Sequence, residues 1–241
     1  GVGVDVHAGP NGYLLPVDAS RADETTFLSM PLVHDAIVAL PCRHVLVIFD
    51  ACFSGAFRWS GTRAAAALPE VIHQERYERF VRDPAWQVIT SAAQDEKALD
   101  RLSSGSLGGR DGGGDHSPFA QALFEALEGA ADIVPRAGGD GLITATELYL
   151  YVEDRLQAAM IDAGAARQTP RLWPLSRHEK GEFVFVAPGK ALSLPPAPPL
   201  TADANPWRGL ASYEKGDAGL FFGRDAAVAA LQDAIEQKPF V

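Results

Sequence analysis

The sequence predicts an α/β protein: a mainly parallel, largely buried sheet sandwiched by helices, then a Pro-rich linker and the opening of a second domain. Three observations carry this. Val45-Leu46-Val47-Ile48-Phe49 is an uninterrupted β-branched and aromatic run, the pattern of a strand buried on both faces at the centre of a parallel sheet. Val88-Ile89-Thr90-Ser91-Ala92-Ala93 is a second such run. Helix-start signals stand before and after these runs, at Ser29, at Ser117-Pro118 and at Thr144-x-x-Glu147, so strands and helices interleave.

Residues 1–19 hold two short extended segments around Gly9-Pro10-Asn11-Gly12, whose residues suit a turn. Residues 29–40 read as a helix: Ser29 can cap it, Pro31 is tolerated in its first turn, and Val33, Ile37 and Leu40 share a face. Pro41 ends it. Cys42, at the helix-to-strand turn, reads as a small buried hydrophobe. Residues 56–85 are polar and mixed, with a helix over Pro69–Arg82. Residues 102–116 are rich in Gly and Ser and have little to bury, which predicts mobility. Ser117-Pro118 opens a helix through Glu128 that Gly129 stops. The Thr144/Glu147 capping box opens another, to about Ala163, with Gly164 behind it. Glu182–Val186 is a closing strand at a sheet edge. Residues 188–206 carry Pro188, Pro195, Pro196, Pro198, Pro199 and Pro206, which makes a semi-rigid linker and a boundary after a domain of residues 1–187.

The 241 residues suffice for one good-sized domain and part of another. A net charge of -10 with no basic block argues against binding a phosphate backbone. No apolar run approaches a membrane span and no signal peptide is visible. Two cysteines at unrelated positions make no disulfide framework, so a reducing, cytoplasmic setting is expected. The chain begins with Gly rather than Met and stops at Val241, and reads as a piece of a longer protein.

Chemistry concentrates after the first apolar run. Open α/β sheets place their sites beyond the carboxyl ends of their strands, and Asp50-Ala51-Cys52-Phe53-Ser54-Gly55 stands there. Ser54-Gly55 lets the backbone turn sharply beside the sulfur. The residues alone leave a buried structural cysteine and an activated nucleophile both open.

The string resembles the nucleophile turn of caspase-like cysteine peptidases of the metacaspase and paracaspase branch, where Asp-x-Cys-x-Ser-Gly is typical. The resemblance covers residues 1 to about 187 and implies a caspase-like three-layer sandwich. It implies that the Cys52 thiolate attacks a peptide carbonyl while a histidine handles the proton. In that family the histidine stands in a His-Gly pair ahead of a Tyr-Leu-x-Pro-Val-Asp segment. Tyr13-Leu14-Leu15-Pro16-Val17-Asp18 matches the segment and Gly1 falls on the glycine, so the histidine is expected just before Gly1. Gly1 and Cys52 would then offer backbone N–H groups to the oxyanion. His7, followed by Ala8, is the rival base and reads as a solvated loop histidine. Ser91 to Asp95 has the spacing of a family pattern whose acid lines the pocket for a basic side chain, with Asp50 as a second carboxylate. An Asp at a strand end is otherwise an ordinary loop residue. The family's processing linker would fall in residues 56–85, and Ser117-Pro118-Phe119 resembles the start of the helix after the glycine-rich loop in bacterial members.

Asp140–Glu147 resembles half of an EF-hand loop, but Arg136 and Gly138 stand where oxygen ligands are required. Calcium therefore has no support from these residues, and no other metal is expected. Residues 207–241 resemble the lead-in to a STAND-type P-loop ATPase, through Phe221-Phe222-Gly223-Arg224-Asp225 and a helical pattern to Gln237. The phosphate loop is not in the chain, so ATP belongs to the part of that module beyond it, through which oligomerisation could also run. The expected function is cleavage of peptide or protein substrates after Arg or Lys, controlled by the ATPase, as in bacterial defence or programmed-death systems. The rivals are an inactive caspase-like interaction module and a signalling adaptor serving the ATPase.

Overall fold

The computed structural model describes residues 4–5, 9–10, 12–20, 22–51, 68–93, 96, 98–99, 116–135, 138–165, 167–199, 212 and 214. The chain divides into two compact units, residues 1–196 and 197–241. In the first, β1 (Val4–Asp5) pairs antiparallel with β2 (Gly9–Pro10), so Gly9 and Pro10, expected in a turn, are strand residues. A second antiparallel pair joins β3 (Tyr13–Leu14) to β4 (Leu28–Ser29). Helix α1 (Met30–Val38) follows, with Ser29 as its cap, accepting from the Leu32 N–H at 3.4 Å. Then come β5 (His44–Phe49), α2 (Gln74–Arg82) and β6 (Ala85–Thr90). Helix α3 (Pro118–Glu125) runs on into a π-helical turn (Ala126–Ala130). The last elements are β7 (Leu142–Thr144), α4 (Ala145–Ala163), β8 (Arg171–Pro174) and β9 (Val184–Val186).

The α/β class holds, but the described sheets are mixed rather than mainly parallel. β6 pairs parallel with β5, from His44 against Ala85 to Phe49 against Thr90, and antiparallel with β8, Thr90 facing Arg171. β7 and β9 form a separate antiparallel pair. Among the described residues the central strand of this sheet is β6 rather than β5. Each residue of β6 is buried, whereas β5 is half-buried apart from Val45. The reason is position: among the described residues β5 has a partner on one side only, and β6 on both.

Side chains alternate across these strands. Leu46, Ile48 and Ile89 face a core built with Phe119 and Ala122 of α3 and Leu148, Val152 and Leu156 of α4. Val45, Val47, Trp86 and Val88 face the other way, with Ile37 of α1. Helices thus contribute to both faces. Arg177 fastens α1 to its face: its guanidinium stacks 4.3 Å from the Trp86 ring centroid and donates to the carbonyls of Val38 and Leu40. These are orphan acceptors at a helix end, where a cation is favoured. Leu40, expected on the buried face, lies beyond the helix and is exposed. Cys42 is also exposed, which corrects its reading as a buried hydrophobe. The turn holding it follows the helix end and makes no part of either core face.

The capping box at α4 is present, and it does more than start a helix. Glu147 is fully buried. One of its carboxylate oxygens accepts from the backbone and hydroxyl of Thr144, both at 2.9 Å. The other accepts from the N–H groups of Ile133 and Val134 at 3.3 and 3.0 Å. One side chain therefore satisfies the helix entry and ties the preceding loop to it. Gly164 ends α4 in the left-handed region at φ 56.

Residues 188–196 pack on the first unit. Lys190 Nζ lies 2.7 Å from Asp132, whose side chain is fully buried, and the Ser193 N–H donates to the Asp140 carbonyl at 2.7 Å. Leu194 joins Ile72, Val134 and Leu142. Gly141 has φ +85, and a Cβ there would come within 2.5 Å of the Ala191 carbonyl oxygen, so only glycine lets this segment pass.

Burial pushes the Glu147 carboxyl up to about 7 against hydrogen bonds from Thr144 and Val134 that pull it down. Burial pushes Asp140 up to about 6, with the Asp132 charge adding to the rise. A folded-state value above the unfolded one means that the native state holds the extra proton between them. The stability gained from it is complete below about 4.5 and is lost as pH rises through about 7. Glu147→Gln should therefore lose stability relative to the parent, on the order of 1–3 kcal/mol, because an amide NH2 must face backbone donors. The gap should be wider at pH 5 than at pH 8, and melting curves at the two pH values check it.

Candidate active site

Because β5 and β6 are parallel and in register, the chain leaves both at one end. The Ser91 N–H donates to the Phe49 carbonyl at 2.9 Å and locks the two exits together. β8 runs the other way, so the segment before Arg171 arrives at that same end. Asp50, Ser91 and residues 167–170 are gathered there by topology alone.

Asp50 is exposed and accepts a hydrogen bond from Ser117 Oγ. Ser117 is also the cap of α3, accepting from the Ala120 N–H at 3.0 Å. Behind this rim Ser91 is fully buried, and its hydroxyl has no hydrogen-bond partner among the described residues.

The exit of β6 is held from outside. Gln168, 3% exposed, donates from Nε2 to the Ser91 carbonyl at 2.9 Å and accepts at Oε1 from the Leu99 N–H at 3.0 Å. A single amide thus spans the segment from 91 to 99. Glu96 adds a second tie, accepting from the Thr169 hydroxyl at 2.8 Å, from the Thr169 N–H at 2.5 Å and from the Ala93 N–H at 3.4 Å. A cleft of about 510 Å³ lies along Gly164, Ala165 and residues 167–169, with Glu153 and Met160 of α4 in its wall.

Of the residues singled out from the sequence, the structure places Asp50 at the strand exit. Gly1, His7, Cys52 and Asp95 lie outside the described residues, as do residues 102–115 of the Gly/Ser-rich stretch. Gln168, Glu96 and Thr169 escaped the sequence reading, as did strand β8. Their partners lie up to 77 residues away, so no local pattern announces them. Ser117 was legible only as a helix cap.

What the rim can do chemically follows from its parts. An exposed carboxylate, oriented by a hydroxyl and backed by a rigid strand end, suits a cation with several N–H donors. Among the described residues no group of three or more His, Cys, Asp and Glu side chains could hold a metal ion. Asp132 and Asp140 sit together, but Lys190 already faces Asp132. No described helix is long and apolar enough to cross a membrane.

No protein-family model matches the chain, and no curated protein or solved structure does so either.

The Gln168 bridge has a direct test. Gln168→Leu should strand a buried carbonyl and a backbone N–H and cost about 1–3 kcal/mol. Hydrogen exchange should quicken at Ser91–Leu99 more than in β6 itself; uniform quickening along both would mean that the bridge does not hold this segment separately.

Proposed function

We propose that this chain carries a caspase-like cysteine endopeptidase domain, a three-layer sandwich that cleaves after Arg or Lys. The observation that supports the reading most is the position of Asp50-Ala51-Cys52-Phe53-Ser54-Gly55. Its first residue leaves the carboxyl end of a parallel-paired strand, where open α/β sheets hold their chemistry.

In this reading the Cys52 thiolate attacks the substrate carbonyl carbon. The oxygen gathers negative charge against the N–H groups of Cys52 and Gly1, donors that strengthen as the charge develops. The histidine expected ahead of Gly1 passes the thiol proton to the leaving amine, and the C–N bond breaks. Water, deprotonated by the same histidine, then hydrolyses the thioester. Asp50 and Asp95 receive the basic side chain before the cut. A substrate Asp is refused, because a third carboxylate would lose its water among like charges. The STAND-type ATPase whose opening residues 207–241 resemble would control this activity.

Treating the full-length protein with an Arg-chloromethylketone and locating the adduct tests the nucleophile. The expected adduct is on Cys52, and an unmodified protein would favour an inactive interaction module. In paired fluorogenic assays the Arg peptide should be cleaved and the Asp peptide left intact. Cys52→Ala should lower turnover by several orders of magnitude. Asp50→Asn should lower kcat/KM for the Arg peptide by on the order of tenfold to a hundredfold. His7→Ala should leave both rates as they are; its loss of activity would make His7 the base.

A further inference from the structure

We infer that Ser117 is a positioning residue for the substrate-binding carboxylate of Asp50, an inference that rests on the peptidase reading above. Asp50 is exposed at the end of β5. Among the described residues its side chain accepts from Ser117 alone, a residue 67 positions further along the chain. A surface carboxylate on a strand-exit turn can rotate freely, and a rotating group loses entropy when it must face a guanidinium.

Ser117 is well placed to remove that freedom. Its hydroxyl accepts from the Ala120 N–H and donates to Asp50 Oδ2, so one lone pair and the proton are committed and the rotor has one orientation. Its backbone is extended, at φ -61 and ψ 158, as a residue before proline must be. Pro118 and Phe119, which follow it, are buried against the core that also holds Ile89 of β6. The anchor of the carboxylate is thus the start of a core helix and not the turn on which the carboxylate stands. One oxygen is held there, and the group is aimed before substrate arrives. Such pre-aiming acts chiefly on binding of the basic side chain, because Ser117 does not touch the reacting atoms.

Capping and positioning are separable. Glycine is nearly as good a cap as serine but has no hydroxyl to donate, and threonine keeps both functions. Full-length Ser117→Gly, Ser117→Thr and Asp50→Asn are compared with the parent by melting temperature, by KM and kcat on an Arg peptide, and by benzamidine binding in calorimetry. Benzamidine needs the carboxylate but not the thiol. Expected for Ser117→Gly is a melting temperature near the parent's, with KM and the benzamidine Kd both raised about tenfold and kcat within about twofold. Ser117→Thr should restore both constants. If Ser117→Gly binds and cleaves like the parent, Ser117 is only a cap and the inference falls while the peptidase reading stands. The same holds if Asp50→Asn leaves benzamidine binding unchanged. If the parent neither cleaves the peptide nor reacts with the chloromethylketone, the peptidase reading falls and takes this inference with it.

Discussion

The parallel register between β5 and β6 is the constraint from which the site end of the molecule follows. Two parallel strands cannot be joined by a tight turn, so the chain must cross over between them, and α2 lies on that crossover. Parallel pairing also makes both strands exit together. Had β6 run antiparallel to β5 over the same lengths, the exits of the two strands, and with them Asp50 and Ser91, would stand at opposite ends of the sheet. Because β8 returns antiparallel beside β6, the segment before it is delivered to the same edge. These strand directions therefore assemble residues from three distant stretches. The full burial of β6 then makes that edge stiff, since its side chains are packed on both faces.

Polar groups held inside the fold follow a common logic. Gln168 and Glu147 are both buried, and each bonds backbone groups from segments that would otherwise leave them bare. A polar side chain buried with its hydrogen bonds complete costs little, whereas the same group with one partner missing is expensive. That asymmetry makes each a specific fastener: Gln168 fixes the exit of β6, and Glu147 fixes the loop ahead of α4. The Lys190–Asp132 pair extends the same device to residues 188–196. Prolines there remove backbone donors, and the segment is held by Lys190, the Ser193 N–H and the apolar Leu194 rather than by a ladder.

Local signals in the sequence were sufficient wherever the cause was local. The caps at Ser29, Ser117 and Thr144 and the stop at Gly164 depend on residues within four positions of one another, and each is where the sequence points. The rank of the strands was not legible. Val45–Phe49 is the more apolar run, yet among the described residues Ala85–Thr90 is the strand with a neighbour on each side, because that depends on which strands pair with it and not on its own composition. β8 escaped notice because Arg171-Leu172-Trp173-Pro174 has no clean alternation and ends in proline, which a sheet tolerates at an edge. At the site, Asp50 was visible as a residue type, while the groups that hold it and the neighbouring strand exit were not. Ser117 and Gln168 act across 67 and 77 residues of chain, and only the fold brings them to their partners.

That difference between a visible group and its invisible support bears on what the strand exit can recognise. A carboxylate at the end of a strand is common and by itself specifies little, since its attraction for any cation is weak in water. Selectivity needs direction: a guanidinium is planar and offers paired donors, so it rewards a carboxylate held in one plane more than an ammonium does. On this rim the carboxylate is tied to the first turn of α3, and the neighbouring strand exit is tied by Gln168 to the segment before β8. The first tie ends at the start of a core helix and the second at a buried side chain, rather than in the exit turns themselves. In the proposed peptidase, loosening either anchor should therefore weaken any preference for Arg over Lys before it abolishes the attraction for positive charge.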